Sequence, residues 1–285
     1  MTSSSPAFAA LHDVLGCPVC ARELPLVDGV LRCGAGHAFD IARQGYVSLL
    51  AGSRPAGAGD TADMVSARAA LLERGHFEKV ASALADAVLA LDMPDGAAVV
   101  DLGGGTGYYL ATVLDHATAL RGVSVDISPF AARRAARCHP RAVAVRADVW
   151  QPLPLRARSV GAVLSVFGPR NPEEIARVLD PEHGRLVVVS PGQDHLRELV
   201  GPLGLLTVDP DKEGRLARQL EEFDVVDRRE LSYEVEMTHE DVAHEALMGP
   251  TAHHVAPTDL TARVAELPEP VVVTVSVTVG TYRVR

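Results

Sequence analysis

Cys17, Cys20, Cys33 and His37 form the pattern Cys-x2-Cys-x12-Cys-x3-His near the start of the chain. Thiolates and imidazole are the ligands zinc prefers, and four of them close a tetrahedral structural site. Gly16-Cys17-Pro18-Val19-Cys20 and Cys33-Gly34-Ala35-Gly36-His37 each read as a tight knuckle. Residues 24–32 between them read as a short hairpin turning at Asp28-Gly29. All four ligands are used, so the expected zinc is structural rather than catalytic. Four unrelated buried residues would have to match every spacing by chance, and a redox Cys-x-x-Cys would leave the second pair unexplained. The remaining cysteine, Cys138, follows an arginine-rich helix and reads as a small, partly buried residue. A segment of roughly fifty residues builds little core, so the metal should supply a large share of its folding free energy.

A second constellation is Asp101-Leu102-Gly103-Gly104-Gly105-Thr106-Gly107-Tyr108-Tyr109, at the end of an apolar run and the start of a helix. Glycines let a backbone turn sharply and approach a ligand, and the helix N-terminus offers free N–H groups. A dinucleotide fingerprint needs Gly-x-Gly-x-x-Gly, but Tyr108 stands where its third glycine would fall. No Gly-Lys-Ser/Thr follows, which excludes a phosphate-binding loop of that type. Gly-x-Gly-x-Gly preceded by an acid is the pattern of S-adenosylmethionine (SAM) binding in class I methyltransferases. The cofactor's amino-acid end is a zwitterion, so Asp101 can sit near the ammonium while loop amides face the carboxylate. Asp126, ending a second strand, is placed to accept from both ribose hydroxyls. Asp148, after a third, is placed to accept from the adenine amino group. Any one of these acids could be a cap or a surface residue; the three together with the loop make a cofactor site.

The elements that must position these groups alternate. Strands are expected at 97–102, 123–127, 142–147, 160–167 and 185–190, with helices at 109–116, 129–138 and 172–179 between them. Asn171 and Pro172 start the last helix. Such alternation predicts a parallel sheet with helices on both faces. Two helices precede it, one capped by Asp60 or Thr61 and ended by Gly75, the other at about 77–91. Two strands, 223–227 and 271–278, are expected near the end. Residues 51–59 are rich in Gly, Pro, Ser and Ala and read as a linker. The expected organisation is a zinc module over 1–50, a linker and helical segment over 51–95, and a methyltransferase domain over 96–285. The fold class expected is α/β, a Rossmann-like, seven-stranded, mostly parallel sheet behind a small zinc ribbon.

The chain has 285 residues, 47% hydrophobic and 22% charged, which suits a globular protein and excludes disorder. No stretch approaches the roughly 20 apolar residues of a membrane span, and the first residues lack a secretion-signal pattern. A cytoplasmic protein is expected. The net charge of −10 argues against a bulk nucleic-acid coat but not against a local basic surface. Lys79 and Lys212 are the only lysines. Arginine is the better bidentate partner for phosphate, although a high-GC genome also encodes it.

These residues resemble the 23S ribosomal RNA guanine-N1 methyltransferases of the RlmA type, over nearly the whole chain. The resemblance is carried by the zinc module with His37-Ala38-Phe39-Asp40 and Gly45-Tyr46-Val47, and by Asp60-Thr61-Ala62-Asp63-Met64, Ala67-Arg68 and Gly75-His76-Phe77. Ser190-Pro191-Gly192-Gln193-Asp194-His195-Leu196 carries it further. Phe167-Gly168-Pro169-Arg170-Asn171-Pro172 is similar to the actinomycete branch associated with resistance to tylosin and other macrolides. Phe77 stands where the family often has Tyr, and Gly168 where that branch usually has Ala. The resemblance implies SAM-dependent methylation of guanine N1 in a 23S rRNA hairpin loop near the macrolide path. It also implies cofactor contacts at Phe77, Tyr109, Leu110 and His195, and a homodimer whose zinc modules flank an RNA-sized cleft.

Guanine N1 is protonated at neutral pH, so a residue must take the proton or stabilise the deprotonated ring. Asp60, Asp63, His76 and His195 are candidates, His195 more as a positioning group. Arg170 and the carbonyls around it could grip the base, while Asn171 either contacts it or caps the next helix. Phe77 or Tyr109 could hold the unstacked base. Arg22, Arg32, Arg43 and Arg54 are the expected phosphate contacts; Arg133, Arg134, Arg137 and Arg141 are either a second basic surface or a solvated helix face. The acids concentrate elsewhere, at 209–245. Two other readings use the same residues: a methyltransferase acting on a small molecule, for which a zinc module has no evident use, and a non-catalytic RNA-binding adaptor, which would not need an intact cofactor loop.

Overall fold

A computed structural model describes residues 5–50, 59–205, 211–249 and 257–285. The chain opens with α1 (Ser5–Ala10), then an antiparallel sheet of β1 (Leu26–Val27), β2 (Val30–Arg32) and β3 (Ala38–Asp40). Asp28 and Gly29 join β1 to β2 with φ of 51° and 82°, the left-handed backbone that a two-residue hairpin needs. After β4 (Tyr46–Ser48) come α2 (Ala62–Glu73) and α3 (Glu78–Leu89). The Thr61 side chain caps α2 by accepting from the Met64 amide at 3.3 Å.

The alternating region follows as β5 (Ala98–Leu102), α4 (Tyr108–His116), β6 (Arg121–Asp126), α5 (Pro129–Ala135), β7 (Ala142–Arg146), β8 (Ala162–Val166), α6 (Pro172–Val178) and β9 (Arg185–Pro191). Then come α7 (Arg197–Leu203), α8 (Lys212–Gln219), β10 (Phe223–Met237), α9 (His239–Met248), α10 (Pro257–Ala265) and β11 (Val271–Val284). One sheet runs β10-β11-β9-β8-β5-β6-β7-β4, parallel from β9 to β4 and antiparallel where β11 joins β9 and β10 joins β11. The chain leaves β5 toward β6 and β7, then returns to β8 on its other side. In open α/β sheets this reversal marks the ligand crevice at the strands' carboxyl ends.

Both faces of the sheet are covered, so its strands are apolar on both sides. Val100 and Leu102 of β5 enter one core with Phe8, Leu11, Leu24, Leu31 and Val47 of the N-terminal segment. Val99 enters the other with Phe77, Leu84 and Leu110. The zinc-ligand segment therefore shares a core with the main sheet rather than building its own.

Two expectations need correction. The sheet has eight strands rather than seven, because β4 pairs in parallel with β7, Tyr46 opposite Ala144. The C-terminal strands are 15 and 14 residues long, far beyond 223–227 and 271–278. Charged residues such as Arg228, Arg229 and Glu230 lie exposed along β10 and break its apolar pattern, while pairing with β11 supplies the order. The excursion holding α9 and α10 separates the two strands. The expected linker at 51–59 lies outside the described residues except for Gly59.

Candidate active site and metal centre

The two knuckles close as glycine and short loops allow. The Ala21 amide donates to the Cys17 carbonyl (2.8 Å) and the Gly36 amide, at φ +88°, to the Cys33 carbonyl (2.9 Å). Three sulfurs and His37 Nδ1 then converge, all within 4.8 Å of one another. Tetrahedral zinc with its usual bond lengths sets S···S edges of about 3.8 Å and S···N edges of about 3.5 Å. The Cys20 and Cys33 sulfurs lie 3.7 Å apart, and His37 Nδ1 lies 3.6 Å from the Cys17 sulfur and 3.4 Å from that of Cys33. The donor set fits a structural zinc. The Gly16 amide donates to the Pro154 carbonyl (2.9 Å), tying the first knuckle to the main body.

At the carboxyl ends of β5 and β6, Gly103, Gly105 and Gly107 take φ of +71°, +55° and +80°, which only glycine adopts freely. A Cβ on Gly104 would stand 2.4 Å from Ser124 Oγ. Under this loop Asp101 is 1% exposed, and its Oδ2 has no hydrogen-bond partner among the described residues. Burial, with Asp126 nearby, pushes its carboxyl up to about 7. Asp126 accepts from the Gly105 amide (2.9 Å) and the Ser128 amide (2.8 Å), and burial raises its carboxyl as well. Asp148, also buried, accepts from the Trp150 amide (3.1 Å).

Above the loop lies a cavity of two lobes. One, of about 420 Å³, is walled by Phe77, Asp101, Tyr109, Phe167, His195 and Glu245. The other, of about 370 Å³, is walled by Asp126, Asp148, Trp150 and Pro169; Asp60, Arg68, Gly103, Gly105, Val166 and Phe167 border both. His195 stacks on Phe167 with ring centres 5.6 Å apart and meets Phe77 edge-on at 6.4 Å. Its Nδ1 accepts from the Ser276 amide (3.2 Å), so the ring proton sits on Nε2. Burial, helped by the charge of Lys212, lowers its pKa to about 4. At neutral pH the ring is an uncharged donor.

The zinc-ribbon family described as RlmA, N-terminal, matches residues 15–53. The 23S rRNA (guanine(748)-N(1))-methyltransferase of Streptomyces fradiae is 49% identical over 269 residues, covering 93% of this chain and 94% of that protein. A protein of Micromonospora griseorubida is 46% identical over 94% of this chain and 97% of its own length. This chain belongs to the RlmA-type 23S rRNA guanine-N1 methyltransferases. A more distant Bacillus subtilis relative is 30% identical over 64% of this chain and 66% of its own length.

The RlmA-type site fits SAM by its donor set. The cofactor supplies an electrophilic methyl group on a sulfonium. Asp101 is a buried carboxyl with no cation beside it among the described residues, a setting that an ammonium would complete. Of the cofactor residues expected from sequence, Phe77, Tyr109, His195, Asp101, Gly103, Gly105, Asp126 and Asp148 all line the cavity. Leu110 does not; it is fully buried in the core beneath.

The candidates for chemistry in this RlmA-type methyltransferase scatter. Asp60 borders both lobes but is held by Arg68 (2.7 Å). Asp63 is exposed in the first turn of α2. His76 is off the cavity wall, 3.3 Å from Asp241. Arg170 donates to Gln219, Ser165 and the Gly168 carbonyl, also off the wall. The Asn171 side chain accepts from the Glu174 amide and caps α6. Arg22, Arg32 and Arg43 are exposed without an ion pair among the described residues; Arg54 lies outside them. Arg134 pairs with Glu73, and Arg141 is spent on the carbonyls of Leu114, Ala117 and Leu120. Cys138 abuts Gly107, and burial pushes its thiol up to about 12, which keeps it neutral.

Sequence reasoning missed Glu245 by placing it in a surface run of acids. On α9 the residues Asp241, Val242, Glu245 and Ala246 form one buried face, and Glu245 reaches the cavity wall. Helical spacing with Val242 and Ala246 was the available signal.

Proposed function

We propose that this chain transfers the methyl group of SAM to N1 of one guanine in a 23S rRNA hairpin loop, and that the modification confers resistance to macrolides such as tylosin. The reading is carried by the unpartnered, buried Asp101 under a positive-φ glycine loop, opening into a cavity walled by Phe77, Tyr109 and Phe167. In this reading Asp101 takes the cofactor ammonium, Asp126 the ribose and Asp148 the adenine. Loop amides meet the carboxylate, and Tyr109 and His195 line the methyl-bearing end. The aromatic walls suit a base turned out of its stack, which costs least in a hairpin loop.

Residues 1–50 act as the RNA-reading module, 51–95 as linker and helical segment, and 96–285 as the methyltransferase domain. Exposed Arg22, Arg32 and Arg43 supply phosphate contacts. The enzyme works in the cytoplasm; no described helix is long and apolar enough to cross a membrane. It works as a homodimer, for which exposed Val225, Val226 and Val284 offer apolar surface at the sheet's outer edge. Primer extension on 23S rRNA treated with enzyme and SAM tests the reading. N1 methylation blocks pairing and stops reverse transcriptase at one position. Absence of any stop, with methyl transfer to a metabolite instead, refutes it.

A further inference from the structure

The proton on guanine N1 must leave before the nitrogen's electron pair can form a new bond. A side chain that removes it must reach the cavity, carry an acceptor without another partner, and be free of cofactor duties. Asp60 is held by Arg68. Asp101 lies beneath the glycine loop, and Asp126 and Asp148 belong to the other lobe. His195 presents only an N–H, because its second nitrogen accepts from Ser276. Burial drives the Tyr109 phenol well above its ordinary range, which disqualifies it as a base. Among the described residues Glu245 remains. It is 9% exposed, lines the same lobe as Phe77, Tyr109, Phe167 and His195, and its Oε2 has no hydrogen-bond partner among those residues.

We propose that Glu245 is a catalytic residue: one carboxylate oxygen takes the N1 proton of the target guanine while the other accepts from the exocyclic amino group. The inference rests on the guanine-N1 reading above. Guanine presents N1–H and N2–H side by side on its Watson–Crick edge, matching the two oxygens of one carboxylate. The N1–H bond breaks toward Glu245, and its electron pair forms the N1–C bond to the methyl. The C–S bond breaks with its pair passing to sulfur, which cancels the sulfonium charge. The products are N1-methylguanine, a neutral thioether and a protonated Glu245 that returns its proton to water.

The surroundings suit that task. Burial raises the Glu245 carboxyl to about 7, opposed by the positive charge of Arg68 on α2. The other titratable groups facing the same lobe among the described residues are Asp60 before α2, Asp101 in β5, Tyr109 on α4 and His195 before α7. A base whose pKa lies near the working pH combines adequate ionisation with adequate basicity.

The test is single-turnover methyl transfer from labelled SAM to 23S rRNA by wild type, E245Q and E245D, from about pH 5.5 to about pH 9, alongside calorimetry with SAM and filter binding of the RNA. E245Q should lose roughly 10²–10⁴-fold in rate, with both affinities within about threefold of wild type. The wild-type rate should rise with pH through about 7 and then level. E245Q should lack that rise, and E245D should keep part of the rate with a shifted rise. An E245Q rate within about threefold of wild type overturns the proposal. So does a loss confined to SAM affinity. Should E245Q fail to fold, an E245D profile identical to wild type overturns it equally. Wild-type enzyme that puts no methyl on 23S rRNA would sink the guanine reading instead, so the two failures are distinguishable.

Discussion

Replacing Asp101 with Asn should weaken SAM binding while making the free protein less sensitive to alkaline pH. Burial holds the Asp101 carboxyl near 7, against 3.8 for an ordinary aspartate. A folded-state pKa above the unfolded one means that the folded protein keeps a proton which the unfolded chain gives up. Its contribution to stability is fully present below about pH 4 and is lost as pH rises through about 7. Each pK unit is worth about 1.4 kcal/mol, so the wild-type carboxyl costs about 4 kcal/mol at pH 8 and under about 2 kcal/mol at pH 5. Asn does not titrate. The stability difference between D101N and wild type should therefore shift in favour of D101N by about 2–3 kcal/mol between pH 5 and pH 8. Any fixed cost of burying the amide cancels in that comparison. Removing one partner of a buried ion pair costs about 3–5 kcal/mol, so the Kd for SAM should rise roughly 10²–10⁴-fold. Urea denaturation at both pH values and calorimetry with SAM measure the two effects. A pH-independent stability difference, or a SAM affinity changed less than about threefold, would refute the assignment of Asp101 as the carboxyl that waits for the ammonium.

Two further outcomes follow from the metal centre and the basic surface. Cys33→Ser, or chelation, should release zinc, detectable by a colorimetric chelator, and should lower the melting temperature, because the ligand segment shares a core with the sheet. RNA methylation should be lost while SAM binding survives within a few-fold; loss of both together would show the ribbon to be needed for the cofactor site. Replacing Arg22, Arg32 and Arg43 together with Ala should weaken rRNA binding and reduce the slope of log affinity against log salt by roughly 2–3. An unchanged slope in a filter-binding titration would remove these arginines from the RNA surface.

Local chemistry was open to reading from the chain alone. The zinc ligands fall within a short stretch, and their spacing fixes the knuckles before any long-range contact forms. The glycine loop and the acids Asp101, Asp126 and Asp148 follow successive apolar strands, so periodicity alone puts them at one end of a parallel sheet. Asn171 and Pro172 likewise announced a helix start.

What the chain hid depends on contacts between distant segments. Nothing near Tyr46 says that β4 will extend the sheet beside β7, because its partner Ala144 lies in another module. β10 reads as charged surface until β11 pairs with it along its whole length. The cavity roof is the clearest case: Arg68 on α2 donates to the Met248 carbonyl across a separation of 180 residues, and α9 thereby sets Glu245 over the loop. Whether a carboxylate is a solvated charge or a buried base is a matter of desolvation, and only tertiary packing removes the water.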